Sequence, residues 1–225
     1  MPDTLALLHT APVLVDTFSR LAKDLAPDIP LQHVVDESLL QEARHCGGVT
    51  PHLNRRVSSA ILNAADSGAR VILCTCSSIG PSAEVARLLT PRPVLRIDQP
   101  MAEEAVSIGS RIVVAATLSS TLIPTRDIVL AAARKTGRDV QVQDLLCETA
   151  WAELEKGNTR AYDRHIADDL QRLAADAHVI VLAQASMARA ADLCPDLPVP
   201  VLTSPRSGFQ AATEAYRTTP PVENV

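Results

Sequence analysis

The sequence predicts an α/β protein made of two similar lobes, each a mostly parallel sheet with helices on its faces. Three observations lead there. Short aliphatic runs alternate along the chain with stretches of helical spacing, the pattern of parallel strands joined by crossover helices. Most of these runs end in Thr, Ser, Cys, His or Asp, which gathers small polar groups at strand C-termini, where open α/β sheets bind their ligands. The order of elements then repeats in the second half of the chain, at a period too long for a solenoid.

The first half reads in order. Leu5-Ala6-Leu7-Leu8 is a strand ending at His9-Thr10, and Val13 to Ala26 has helical spacing with Val13, Phe18, Leu21 and Leu25 toward one face. Pro30 to Val35 alternates and ends at Asp36-Glu37-Ser38, a second strand. A polar loop around Gly47-Gly48 and Pro51 leads into a helix from Leu53 to Ala65. Val71-Ile72-Leu73-Cys74-Thr75-Cys76-Ser77-Ser78 follows, an aliphatic strand that ends in thiols and hydroxyls. Gly80-Pro81-Ser82-Ala83-Glu84 then starts a helix, with Pro at the first positions and an acid in the first turn. A strand that hands small polar groups to a helix N-terminus is a ready anion site. Pro93 to Asp98 and the helix Met101 to Ile108 complete this half.

The second half repeats the order: strand Arg111 to Ala116 ending at Thr117, helix Pro124 to Lys135, strand Val140 to Gln143, helices Glu148 to Lys156 and Tyr162 to Ala175, strand Val179 to Leu182, and strand Pro200 to Leu202 ending at Thr203-Ser204-Pro205. Thr10 and Thr117 close the opening strands of the two halves. Cys74 lies eight residues after Asp66, and Gln184 lies eight after Asp176. The expected lobes are 1–108, with the C-terminal segment free to pack back on it, and 109–225.

Composition bounds the function. The 225 residues are 47% hydrophobic and 21% charged, ordinary for a folded protein, but only 2% aromatic, so the core is aliphatic and a base-stacking surface is poorly supplied. A net charge of −5 disfavours nucleic acid and membrane surfaces as partners. Five cysteines, an odd number without framework spacing, read as reduced thiols in a cytoplasmic protein. No apolar run reaches the ~18 residues of a membrane span. His33, His45, His52, His165 and His178 show no ligand spacing, so no metal is assigned.

With Leu73-Cys74-Thr75-Cys76-Ser77-Ser78, the Ala116-Thr117 turn with Thr121, and the strand Val179 to Met187 assembled, the chain resembles the aspartate/glutamate/hydantoin racemase superfamily over nearly its whole length. The resemblance implies two Rossmann-like lobes related by pseudo-two-fold symmetry, an active site in the cleft between them, and no metal or organic cofactor. It also implies a small carboxylate substrate and makes a homo-oligomer, dimer or higher, the expected assembly. Cys74 matches the family's first catalytic cysteine. The position of the second holds Gln184, flanked by Ala185 and Ser186, and an amide cannot carry a proton at neutral pH.

Cys74 is therefore the candidate acid/base at the carbon next to a carboxylate, activated by helix-terminus amides. A register displaced by two residues would make Cys76 the reactive thiol instead. Thr10, Thr75, Cys76, Ser77, Ser78, Thr117, Thr121, Ala185 and Ser186 are candidate substrate contacts, serving equally as helix caps. His9 is a candidate for the missing second proton carrier. Asp36, Glu37, Asp98 and Arg206 lie at strand ends, where Arg206 could grip a carboxylate. Three functions stay open: an isomerase acting on a small amino, hydroxy or ureido acid; a single-cysteine decarboxylase or lyase on a malonate-like acid, although that branch of the family keeps its cysteine in the other lobe; and a non-catalytic carboxylate-binding protein.

Overall fold

In the computed structural model, which describes residues 3–173 and 176–221, strands and helices alternate as the aliphatic runs require. The first half contains β1 (Thr4–His9), α1 (Val13–Leu25), β2 (Leu31–Val35), α2 (Glu37–His45), α3 (Pro51–Asp66), β3 (Ala69–Cys74), α4 (Gly80–Ala86), β4 (Val94–Arg96) and α5 (Gln99–Ile108). The second contains β5 (Arg111–Ala116), α6 (Ser119–Thr136), β6 (Gln141–Leu146), α7 (Glu148–Glu155), α8 (Thr159–Leu173), β7 (Val179–Leu182), α9 (Ala188–Ala191), β8 (Val201–Thr203) and α10 (Ser204–Thr218). The end expected for α8 at Ala175 falls outside the described residues. All strand pairs are parallel, in the orders β2-β1-β3-β4 and β6-β5-β7-β8, the same topology twice. Among the described residues no helix is long and apolar enough to cross a membrane.

Several elements differ from the sequence expectation for local reasons. α2 is mostly polar and buries only Leu39 and Ala43, so periodicity hides it; Asp36 starts it by accepting from the Ser38 N–H. α6 begins at Ser119 and carries Pro124 inside it, so what reads as a hydroxyl-rich turn is the first turn of a helix. β3 stops at Cys74, and Ser77–Ile79 is a 3₁₀ turn.

By contacts the chain divides into two units, one running to Ile97 and completed by the segment from Pro205, the other Asp98–Ser204. In the first, Ala6 and Leu8 of β1 and Ile72 and Cys74 of β3 share a pleat and pack on Leu39, Leu53, Val57, Ile61 and Ala83 from α2, α3 and α4. The opposite pleat ends in His9 and lies under α1, with Phe18 of α1 meeting Phe209 of α10 at 6.0 Å between ring centres. α10 docks closely here: a Cβ on Gly208 would lie 2.3 Å from the Ile97 carbonyl oxygen. In the second unit, α5 and α6 cover Ile112, Val114, Val179 and Val181, and Tyr162, Ile166 and Leu170 of α8 cover Val113, Ile180 and Leu182.

His9 is fully buried on the α1 face. Its Nδ1 lies 2.8 Å from the Thr75 hydroxyl and its Nε2 2.9 Å from His33 Nδ1, with the two imidazoles stacked. Burial, with His33 adding to it, holds the His9 pKa down at about 4 against the ordinary 6.5. The unfolded chain therefore takes up a proton that the folded one refuses, and the stability this represents is complete above pH 6.5 and lost as pH falls toward 4.

Two outcomes are expected. The urea midpoint falls as pH drops from 6.5 to 4, by up to roughly 3 kcal/mol in unfolding free energy, and His9→Asn flattens much of that slope; a profile unchanged by the substitution would remove His9 as its source. Gly208→Ala lowers stability by about 1–3 kcal/mol although Ala is the better helix former. A thermal melt that rises instead would show that α10 does not need the close approach to Ile97.

Candidate functional site

Pairing between the two central strands of each sheet ends at one backbone hydrogen bond, and the candidate residues sit just beyond it. In the first unit the Thr75 N–H donates to the Leu8 carbonyl at 3.0 Å; in the second the Ala183 N–H donates to the Ala115 carbonyl at 2.9 Å. The next residue is Cys76 (φ −119°, ψ 115°) in one and Gln184 (φ −118°, ψ 136°) in the other, each leading into a 3₁₀ turn. On the partner strands the same count pairs His9 with Ala116 and Thr10 with Thr117. The structural counterpart of Gln184 is thus Cys76. Counting eight residues from Asp66, as from Asp176 to Gln184, reaches Cys74, because Cys76 lies ten residues after Asp66.

The two neighbouring thiols have different surroundings. Cys74 is 0% exposed, its side chain on the helix-packed pleat among Leu8, Ile72 and Ala83, and its Sγ donates to the Cys76 carbonyl at 3.5 Å. Cys74 is thus an enclosed thiol on the core side of the sheet. Cys76 is half-buried. Burial pushes its thiol above the ordinary value, while the Thr10 hydroxyl, the Ile79 and Ser78 N–H groups and the Ser78 hydroxyl converge on the sulfur and pull the other way. The result is a thiol that rests protonated, with donors in place for the thiolate it becomes on giving up its proton. Of the other cysteines, Cys46 is exposed, and Cys147 and Cys194 are buried, with thiols pushed up, that of Cys147 to about 12.

His9 and Thr75 belong to the frame rather than to the site. The Thr75 hydroxyl donates to the Leu8 carbonyl at 2.9 Å, so it accepts from His9, which places a proton on His9 Nδ1. His9 Nε2 then accepts from His33 Nδ1–H. Both His9 nitrogens are thus engaged, and burial holds its pKa near 4. Ser77 is buried beside Cys76, its hydroxyl without a hydrogen-bond partner among the described residues.

In the second unit Gln184 Oε1 accepts from the Thr117 N–H at 2.6 Å and the Thr117 hydroxyl at 3.0 Å. A backbone N–H can only donate, so the amide oxygen must face it and the NH₂ is turned outward as a donor. Ser186 is half-buried and bonds the Tyr162 phenol at 2.9 Å. Tyr162 also meets the Thr117 side chain, and burial drives its pKa up to about 12. Nothing in the sequence marked Tyr162 as part of this cluster, since an aromatic on an amphipathic helix reads as core. Thr121 is buried in the first turn of α6, and Ala185 opens the 3₁₀ turn after Gln184.

The remaining strand-end charges have structural places. Asp36 caps α2 and pairs with Arg56, Glu37 opens that helix, Asp98 is buried at the start of α5, and Arg206 is exposed in the first turn of α10. Among the described residues no three His, Cys, Asp or Glu side chains converge as metal ligands would.

Comparison with known proteins bears on this arrangement. The sequence matches the family model described as Asp/Glu/Hydantoin racemase over residues 14–212. No curated protein sequence matches the chain. Among solved structures it is similar to the aspartate racemase of Picrophilus torridus (TM-score 0.72, 13% identity, 98% of this chain and 96% of that one). It is also similar to the glutamate racemase isoform RacE1 of Bacillus anthracis (0.71, 13%, 96% and 82%) and to the allantoin racemase of Klebsiella pneumoniae (0.67, 18%, 95% and 87%). At such identities these structures speak for the fold, two parallel-sheet lobes. The family match spans most of the residues and decides the classification: the chain belongs to the Asp/Glu/hydantoin racemase family of enzymes.

Proposed function

We propose that the chain is a cofactor-independent isomerase that moves a proton at the carbon next to the carboxylate of a small amino, hydroxy or ureido acid, with Cys76 as the acid/base. What supports this reading is the place of Cys76 just past the strand end, the counterpart of Gln184, with the Thr10 and Ser78 hydroxyls and the Ile79 and Ser78 N–H groups opposing the effect of burial on its thiol. The Cys76 thiol first loses its proton to solvent, and the thiolate is held by the Thr10 and Ser78 hydroxyls and two backbone N–H groups. It then takes the C2 proton of the acid, the C–H bond breaking as the S–H bond forms and the electron pair passing into the enediolate. Ser77, buried with an unpartnered hydroxyl, supplies a further donor.

Gln184 holds rather than transfers. Its oxygen is occupied by Thr117, and its NH₂ is turned outward as a donor. Water gives a proton to the enediolate carbon on the face away from Cys76, and the hydroxide formed and the proton on Cys76 exchange with solvent.

Incubation of a panel of chiral 2-amino, 2-hydroxy and 2-ureido acids in D₂O, followed by ¹H NMR, tests the reading. Deuterium is expected at C2 of at least one acid. Cys76→Ser lowers the exchange rate by at least about 10²-fold, while Cys74→Ala, if folded, retains it within about threefold, because a residue off the reaction path changes no proton-transfer step. Exchange that follows Cys74 rather than Cys76 would overturn the assignment, and its absence across the panel would sink the isomerase reading.

A further inference from the structure

We propose that His9 is a positioning residue for the Cys76 thiol, acting through Thr75. The inference rests on Cys76 being the working thiol. Hydrogen bonding between β1 and β3 stops at Thr75 N–H to Leu8 O, one residue short of the thiol. Beyond that point the His9 to Thr75 side-chain bond joins the two strand ends. Thr10, whose hydroxyl meets the sulfur, directly follows His9, and Cys76 directly follows Thr75. The clamp therefore sets the distance between the donor and the sulfur it serves.

The bond runs in one direction. Ser19 lies 3.4 Å from His33 Nε2, His33 Nδ1–H donates to His9 Nε2, His9 Nδ1–H donates to Thr75, and the Thr75 hydroxyl donates to the Leu8 carbonyl. The Thr75 hydroxyl, committed to the Leu8 carbonyl, thus fixes the His9 tautomer, and His33 complements it at Nε2. His9 and Thr75 are each at most 1% exposed, so water does not compete for these groups.

The second unit provides an internal contrast. The positions of His9 and Thr75 are there Ala116 and Ala183, which can form no side-chain bond. Gln184 is long enough to reach the Thr117 N–H and hydroxyl by itself. A cysteine side chain is too short to do this. The buried clamp occurs in the unit whose strand end carries the thiol.

The test is iodoacetamide alkylation of Cys76 against pH, in full-length Cys46→Ser protein so that the exposed thiol does not report. His9→Leu is expected to move the titration midpoint up by about 1 pH unit through loss of hydrogen bonding to the thiolate. His9→Asn, whose amide N–H can replace Nδ1–H toward Thr75, is expected to bring the midpoint back near the parent value. All measurements are made where circular dichroism shows each variant fully folded. A His9→Leu protein with a lower urea midpoint but the parent alkylation profile would make His9 purely structural and overturn the inference alone. A His9→Asn midpoint as displaced as that of His9→Leu would also overturn it, since the donor would then not matter. Parent protein in which Cys76 resists alkylation at every pH would overturn the functional reading and this inference with it.

Discussion

Pairing between the two central strands of each sheet ends in a single N–H to carbonyl bond, Thr75 to Leu8 in one unit and Ala183 to Ala115 in the other, and Cys76 and Gln184 follow one residue later. A parallel sheet covered on both faces leaves its strands few positions for polar side chains except at the C-terminal ends, where pairing stops and the chain turns. Residues before the stop are committed to the core. Residues after it are held by whatever side-chain bonds replace the ladder. Cys74 and Cys76 lie on either side of that line, and their different environments follow from it.

The two units meet the same constraint with different chemistry. At the Gln184 strand end a long amide ties itself to Thr117 and presents neutral donors, with the Ser186–Tyr162 pair beside it. At the Cys76 strand end the side chain is short, and the neighbouring strands are tied instead by buried His9 and Thr75. This second arrangement has an electrostatic cost, since an imidazole enclosed by Phe18, His33 and Thr75 is kept neutral well below its ordinary range. The Cys76 thiol beside it packs against the edge of the core cluster, with the Thr10 and Ser78 side chains as hydrogen-bond partners.

The helices are shared between the units in a way chain order does not suggest. α5 follows the last strand of the first sheet but buries Met101, Ala102, Ala105 and Val106 against β5 and β7. α10 follows the last strand of the second sheet but brings Gly208 against Ile97, while Arg70 bonds the Tyr216 carbonyl and stacks on its ring. Each unit is thus completed by the helix that leaves the other. With so few aromatics, closeness of packing at small residues carries more of the burden, as the bare Cα of Gly208 shows.

The sequence by itself determined the α/β class, the parallel strands and the repeat, because aliphatic runs of strand length separated by helical spacing have few other solutions. It also marked the correspondence of Thr10 with Thr117 and the polar strand ends. It favoured Cys74 over Cys76, two residues on, since positions i and i+2 share a side of an extended chain and nothing local marks where the central-strand ladder ends. Nor could it show that His9 is spent on Thr75 and His33, that Tyr162 joins Gln184 through Thr117, or that α5 and α10 are exchanged. Those depend on contacts between residues distant in sequence, and no local period encodes them.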